Sequence, residues 1–293
     1  MAGVNTPSGA HGARFSARFF RRPSAVVGSL LVGAFLVAGL AEPVLQRALG
    51  HRCSDMPKES LLEPPSRQHW LGTDDQGRDL LVRLICGSRT SLLVGVAAEA
   101  LALLLGVAVG AWAGYRGGRT DALLMRFTDI VLAFPFPLVA IAVVALADIR
   151  STWLVLVLLG LLGWPGLARL IRSRILALRD SGFVEAARAS GAGEARVLLR
   201  HALPSGMAPV WAAASVGIAG NILAEAWLSF IGLGDQSRLS WGTILSNAWT
   251  FASTSWWYAL APGLAITFTI LGFMLLGDAL RDTMDPRTAT EIP

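Results

Sequence analysis

The chain has 293 residues, 54% of them hydrophobic and only 15% charged, with a formal net charge of +5 at pH 7. A soluble domain carries about 25% charged residues, so a water-facing globular fold is excluded. The positive charge has to be distributed over a membrane protein before it argues for any polyanionic partner.

Residues 1–23, rich in Gly, Ser and Arg, are expected to form a disordered tail. The next 18 residues, 24–41, are uncharged and follow Arg14, Arg18, Arg21 and Arg22. With Gly39-Leu40-Ala41 at its end this run imitates a signal peptide, but it exceeds the usual apolar length of about 7–15 residues and reads as a retained first span within 24–45. The segment 46–90 is expected outside the membrane, irregular at first because of Pro57, Pro64 and Pro65. Thr73 with Gln76 three residues on fits a capping box, and Leu80, Leu81, Leu84 and Ile85 share a face, which predicts an amphipathic helix near 74–87 lying on the outer surface. Cys53 and Cys86 fall in or near this segment and read as two unpaired small hydrophobes, with a disulfide as the alternative.

Five further apolar blocks fill 91–281. Residues 90–115 contain only Glu99, 130–147 and 151–168 carry no charge, 202–234 contain only Glu225, and 239–277 carry none. A helix rises about 1.5 Å per residue through about 30 Å of hydrocarbon, so each block supplies a span, and the fold class is all-α and polytopic with six transmembrane helices. Pro135 and Pro137 in AFPFP, and Pro165, should kink or break their helices. Gly106 with Gly110, and Gly217 with Gly220, favour close helix packing. Trp241, Trp249, Trp256 and Trp257 are expected at the outer interface, and 282–293 form a second tail.

Six spans put both termini on one side, together with the loops at 116–129 and 169–201. Those four regions hold 16 of the 25 basic residues but 9 of the 20 acidic ones, so that side is expected to be cytoplasmic, and the arginines face anionic lipid rather than nucleic acid.

One cytoplasmic stretch, GFVEAARASGAGEARVLLRHALPSG at 182–206, is unlike its greasy surroundings. Its first part is alanine-rich, Gly191 and Gly193 permit a sharp turn, and Leu203-Pro204 leads into the next span. An amphipathic helix resting on headgroups would use bulky apolar residues, whereas Ala186, Ala187 and Ala189 beside Glu185 suit a close fit into a protein groove. The pattern Glu185-Ala186-Ala187, Gly191 and Leu203-Pro204 resembles the EAA loop of permease subunits of binding-protein-dependent ABC importers. LGTDDQGRD at 71–79, AGYRGGRTDALLMRFTDIVLAFPFPL at 113–138 and AEAWLSFIGLGDQSRLSWGTILSNA at 224–248 are similar to the C-type permease of the dipeptide, oligopeptide and nickel family.

The resemblance implies a type I importer permease fold with a cytoplasmic coupling helix. It implies a B-type permease as heterodimer partner, an extracytoplasmic solute-binding protein, and two cytoplasmic ATPase subunits that bind the ATP and Mg2+. Carried over, Ala186, Ala187 and Gly191 form the close contact with the ATPase, Glu185 anchors it, and Leu203 and Pro204 close the loop. Peptides are the implied substrate class, followed by nickel, glutathione and other small solutes. The implied location is the bacterial inner membrane.

Glu225, and Asn221 one turn before it, are candidates for the translocation pathway, because an intramembrane carboxylate is costly and by default functional. The alternative for Glu225 is a carboxylate that snorkels to the outer surface, and Glu99 shares the ambiguity. Other functions fit less of the chain. Gly232-Leu233-Gly234-Asp235 spells the GxGD of intramembrane proteases but lacks its Tyr-Asp companion. The four histidines show no metal-ligand spacing, and a phosphate-binding loop needs a lysine where the sole lysine is Lys58 in MPKES, so the chain itself is read as no enzyme. A secondary carrier would account for the spans but not for the alanine-faced loop.

Overall fold

The computed structural model describes residues 18–49, 53 and 60–284; of the tails expected at 1–23 and 282–293, residues 1–17 and 285–293 lie outside that range, while 18–20 and 282–284 are helical. Among the described residues the secondary structure is helical, apart from one isolated bridge between Thr73 and Asp79. Helices α1 (Pro23–Leu40), α2 (Glu42–Leu49), α3 (Leu80–Arg116), α4 (Gly118–Ala133), α5 (Phe136–Ala147) and α6 (Thr152–Arg179) form the first part. Short helices α7 (Gly182–Ala189), α8 (Glu194–Val197) and α9 (Leu203–Gly206), with a π turn at Leu198–Ala202, lead to α10 (Ala208–Phe230), α11 (Trp241–Trp249) and α12 (Trp256–Met284).

Five of these helices, α1, α3, α6, α10 and α12, are each long and apolar enough to cross a bilayer. The pair α4 and α5, bent by 78° at Phe134 and Pro135, passes the same test when taken together as one broken span, and α4 occupies most of the stretch 116–129 expected to be a loop. The cause is local: Phe134 precedes a proline and is driven to an extended ψ of 124°, and Pro135 follows at ψ 122°, so the helix must stop and restart. Pro165 does not break its helix. Helix α6 runs without interruption from Thr152 to Arg179, and Pro165 is buried inside the bundle.

The bundle closes through glycine. Helices α3 and α6 pack with Gly106, Gly110 and Gly114 on one stripe, where a Cβ at Gly106 would come 2.7 Å from Leu167 Cβ and one at Gly114 would come 2.8 Å from Arg172 O. Without side chains at these points the backbones meet directly, which is how helices gain van der Waals contact where lipid offers no hydrophobic drive. Helix α12 joins α1 to α10 in the same way, and Arg22 Nη1 lies 2.5 Å from Asp282 Oδ2 at the end of that layer.

On the opposite face of the bundle the outer segment is built differently from expectation. No separate helix forms over 74–79. Asp74 accepts hydrogen bonds from the backbone N–H of Gln76 (2.8 Å) and Arg78 (2.9 Å) and pairs with Arg78 and the buried Arg83, which folds 74–78 into a closed turn with Gly77 at φ 77°. Thr73 caps no helix; its hydroxyl takes the N–H of Glu63 at 2.8 Å. The helix starts at Leu80 with Asp79 as its cap, accepting from Val82 N at 3.0 Å, and the apolar face at Leu80, Leu84 and Ile85 is simply the outer end of the long helix α3.

Two further corrections follow from packing. Cys53 and Cys86 are bonded as a disulfide that ties the segment after α2 to α3. Trp241 is no interfacial ring: it is fully buried, its indole donates to Leu84 O at 2.9 Å, and Phe35 meets it edge-on at 5.2 Å. Trp249 and Trp256 are exposed, as an interfacial belt requires.

Candidate functional site

The loop at 182–206 leaves α6 through Ser181, whose carbonyl receives the N–H of both Val184 and Glu185 at 3.0 Å and so starts α7. The helix ends in a Schellman closure. Gly191 N–H donates to Arg188 O (2.9 Å) and Ala192 N–H to Ala187 O (3.2 Å), with Gly191 at φ 81°. Only glycine takes that backbone without strain, and a Cβ there would meet open space, so conformation rather than crowding selects the residue.

Beyond the turn, α8 runs into the π turn at Leu198–Ala202. Pro204 explains it: the ring has no N–H to give and collides with the carbonyl four residues back, so the preceding turn widens. Ser205 Oγ donates to His201 O at 2.8 Å within the same turn.

The loop is packed down on one side and bare on the other. Val184 and Val197 are fully buried and join Leu198 and Ala202 in a cluster with Ala111, Tyr115, Ile171, Ile175 and Val210 of α3, α6 and α10. Arg188 lies over the Tyr115 ring at 5.7 Å. Of the residues marked out by the sequence, Glu185, Ala186, Gly191 and Pro204 are exposed, whereas Ala187 and Leu203 are half-buried against this cluster. The free surface of α7 and its turn thus presents Glu185 beside the small residues Ala186, Ala189 and Gly191, flanked by the exposed side chains of Phe183 and Arg188. Val184 and Val197 carry the anchoring; Val197 shares an apolar face with Leu198 that the sequence of 194–201 suggests, whereas Val184, a lone β-branched residue in an alanine-rich stretch, is not singled out.

The two intramembrane carboxylates both sit between α3 and α10. Glu99 accepts from Asn221 Nδ2 at 2.9 Å, and its carboxyl occupies the place a side chain at Gly217 would take. Glu225 is 3% exposed; Ser91 Oγ donates to it at 3.0 Å and Ser229 Oγ at 2.7 Å. The same Ser91 Oγ accepts the N–H of Trp241 at 3.2 Å, so one polar cluster binds α3, α10 and the start of α11. A cavity of about 10 Å³ touches Glu225, Thr90, Ser240, Asp235 and Arg238. That is the room of about one water molecule, far too little for a solute.

At the end of the bundle away from α7, Asp235 accepts from the backbone N–H of Thr152 (3.2 Å) and from its hydroxyl (3.0 Å), holding the first turn of α6. Burial pushes this carboxyl up, but hydrogen bonds from Ser237 and Thr152 outweigh it and hold it below the usual carboxylate range. Asp235 therefore has a structural task, with no second aspartate among its hydrogen-bond partners.

Comparison with known proteins places this architecture. Residues 106–290 match the model of the family described as binding-protein-dependent transport system inner membrane component. The dipeptide transport system permease protein DppC of Alkalihalophilus pseudofirmus is 38% identical over 264 residues, covering 90% of this chain and 86% of that protein. The oligopeptide transport system permease protein OppC of Haemophilus influenzae is 37% identical, with 92% and 86% covered. The inward-facing MetNI methionine ABC transporter has a chain that shares the fold at a TM-score of 0.57 and 16% identity, with 70% of this chain and 97% of that one covered. The bundle of spans, the anchored loop and these likenesses agree: the chain is a multi-pass membrane protein and belongs to the family of binding-protein-dependent transport system inner membrane components.

Proposed function

We propose that the chain is one of two permease subunits of an ATP-driven peptide importer, with α7 as the helix that docks a cytoplasmic ATPase. The observation that carries this reading is the two-sided build of the loop. Val184 and Val197 fix it to the ends of α3 and α6, and the opposite side offers Glu185 and Ala186 to a partner. A docking element that moves a pore must be packed onto the spans it moves, because a tethered one would swing without transmitting the motion. The peptide substrate is supported by the DppC and OppC relatives.

On this reading both termini and the α7 loop are cytoplasmic in a bacterial inner membrane. Two independent features support the orientation: basic residues crowd the α7 side, and the Cys53–Cys86 disulfide lies on the opposite side, which must then be the oxidising one. The partners are a B-type permease, two ATPase subunits holding ATP and Mg2+, and an extracytoplasmic solute-binding protein. Of the two membrane carboxylates, Asn221 with Glu99 stands as the pathway candidate, while Glu225, closed in by its own chain, holds three helices together.

Cysteine crosslinking tests the docking. An Ala186→Cys variant, in membranes containing the partner subunits, should form a disulfide with a cysteine in the ATPase cleft and lose peptide uptake once linked. Absence of any such product, or labelling of the introduced thiol from the outer side, would overturn the assignment.

A further inference from the structure

A groove of about 320 Å³ opens between α6, α10 and α12 on the α7 side of the bundle. Its rim carries Arg174, Arg281 and Asp278, and its wall includes Leu170, Ala213 and Val216. All three charged side chains are exposed, and among the described residues none of them makes an ion pair or a side-chain hydrogen bond. From Thr152 to Arg174 the axis of α6 rises about 33 Å, close to one hydrocarbon thickness of about 30 Å, so Arg174 stands at headgroup level. Arg281 and Asp278 lie in the last turns of α12, at the same end. The apolar wall begins there and descends along α10 toward the middle of the membrane.

We propose that this groove binds an anionic glycerophospholipid, its phosphate between Arg174 and Arg281 and one acyl chain along Leu170, Ala213 and Val216. Three features select that occupant. Two guanidiniums against one carboxylate leave a net positive rim, which favours a headgroup with net negative charge over a zwitterion. Asp278 is placed to accept from headgroup hydroxyls, as phosphatidylglycerol has. A water-soluble anion would satisfy the rim but leave the apolar wall uncovered, whereas a lipid covers both. The assignment to the cytoplasmic leaflet rests on the orientation proposed above; the binding itself does not.

Native mass spectrometry of the full-length chain, purified with its partner subunits and supplied with equal amounts of phosphatidylglycerol and phosphatidylethanolamine, tests the site. Wild type should retain phosphatidylglycerol in preference. Each guanidinium near a lipid surface contributes about one kcal/mol, so the Arg174→Gln/Arg281→Gln pair should weaken retention about thirtyfold. The Arg174→Lys/Arg281→Lys pair, which keeps the charge, should retain most of it and guards against simple misfolding. Equal retention of the two lipids by wild type, or unchanged retention by the glutamine pair, overturns the proposal. So does an efficient crosslink from Ala213→Cys to the partner permease, which would make the groove a protein interface. Lipid adducts are counted on this chain's own mass, so loss of the ATPase subunits would count against the docking role of α7 and leave the lipid result standing.

Discussion

At Gly191 a single backbone angle decides whether the hook keeps its shape. The φ of 81° closes the Schellman turn, and a β-branched residue there would cost roughly 1–3 kcal/mol of strain. Gly191→Val should therefore unwind the last turn of α7, abolishing uptake while the protein still inserts normally; Gly191→Asn should keep much of the activity, because asparagine enters the left-handed region more easily. Equal uptake by both variants would show that the turn does not matter. Glu225 makes the contrasting case. Its oxygens take two serine hydroxyls, which can reorient toward an amide, so Glu225→Gln should transport near wild type, whereas Glu225→Leu leaves buried hydroxyls unpaired and should lower the amount of folded protein in the membrane. At Asp235 the sign of the pH effect is fixed by a folded pKa below the ordinary value: the stabilisation is complete above the unfolded pKa of about 3.9 and is lost as pH falls through the folded one. The gap in thermal stability between wild type and Asp235→Asn should hold steady from about pH 8 to 5 and shrink only below about pH 4. A gap that closes near neutrality would mean the carboxyl is not held down by Thr152 and Ser237. The sequence marks Glu225 and Asp235 as unusual, and their near partners Ser229 and Ser237 lie four and two positions on, but Ser91 and Thr152 come from 134 and 83 positions away, and no local pattern reveals a partner at such distance.

Elements were the more legible level. Charge-free blocks locate the five long spans, because a charge within hydrocarbon is costly enough to clear whole segments of it, and the AFPFP sequence marks the break in the α4–α5 pair, whose first helix carries Arg119, Asp121, Arg126 and Asp129 and reads as a loop. What misled was the start of α3. Thr73 and Gln76 match a capping box, but Asp74 is claimed by two backbone N–H groups and two arginines, and Arg83 reaches it only because α3 begins later. The Cys53–Cys86 bond and the burial of Trp241 are likewise products of tertiary packing, invisible to composition. Glycine spacing was informative in one of two places: Gly106 and Gly110 predict close packing, and the structure supplies the partner, the backbone of α6 around Leu167 and Ala168, whereas Gly217 makes room for the Glu99 carboxyl and a Cβ at Gly220 would meet nothing within 4 Å. Gly110→Leu should drive α3 and α6 apart and sharply reduce membrane-extracted folded protein. Gly166→Leu is the matched control, since a Cβ at Gly166 meets nothing within 4 Å, and it should leave folding unchanged. If both substitutions behave alike, the stripe does not hold these helices together.

Across the whole molecule, the question is how motion at one end of the bundle reaches the other. The α7 hook touches the spans through Val184 and Val197, and the cluster beneath it contains residues of α3, α6 and α10 together. Helix α3 then runs about 55 Å, longer than the hydrocarbon core is thick, to the end of the bundle away from α7, where it is held by Asp74, by the disulfide at Cys86 and by the indole of Trp241. Tyr258 on α12 reaches Asp75 in the same outer segment at 2.7 Å. A push on the hook is therefore applied to rigid rods whose far ends are tied to one another. The two valines are the weak point of this path. Fully burying a valine contributes about 1.5–3 kcal/mol, so a Val184→Ser/Val197→Ser pair should release the hook from the bundle by a factor of several hundred or more without altering a residue on its exposed side. Docking and ATP hydrolysis should persist, because the surface proposed to meet the ATPase, Glu185 and Ala186, is unaltered, while uptake per ATP hydrolysed should collapse. A conservative Val184→Ile/Val197→Ile pair should restore it. Uptake and hydrolysis falling in parallel in the serine pair would instead place Val184 and Val197 in the docking surface itself, and the anchored hook would no longer explain how the permease is driven.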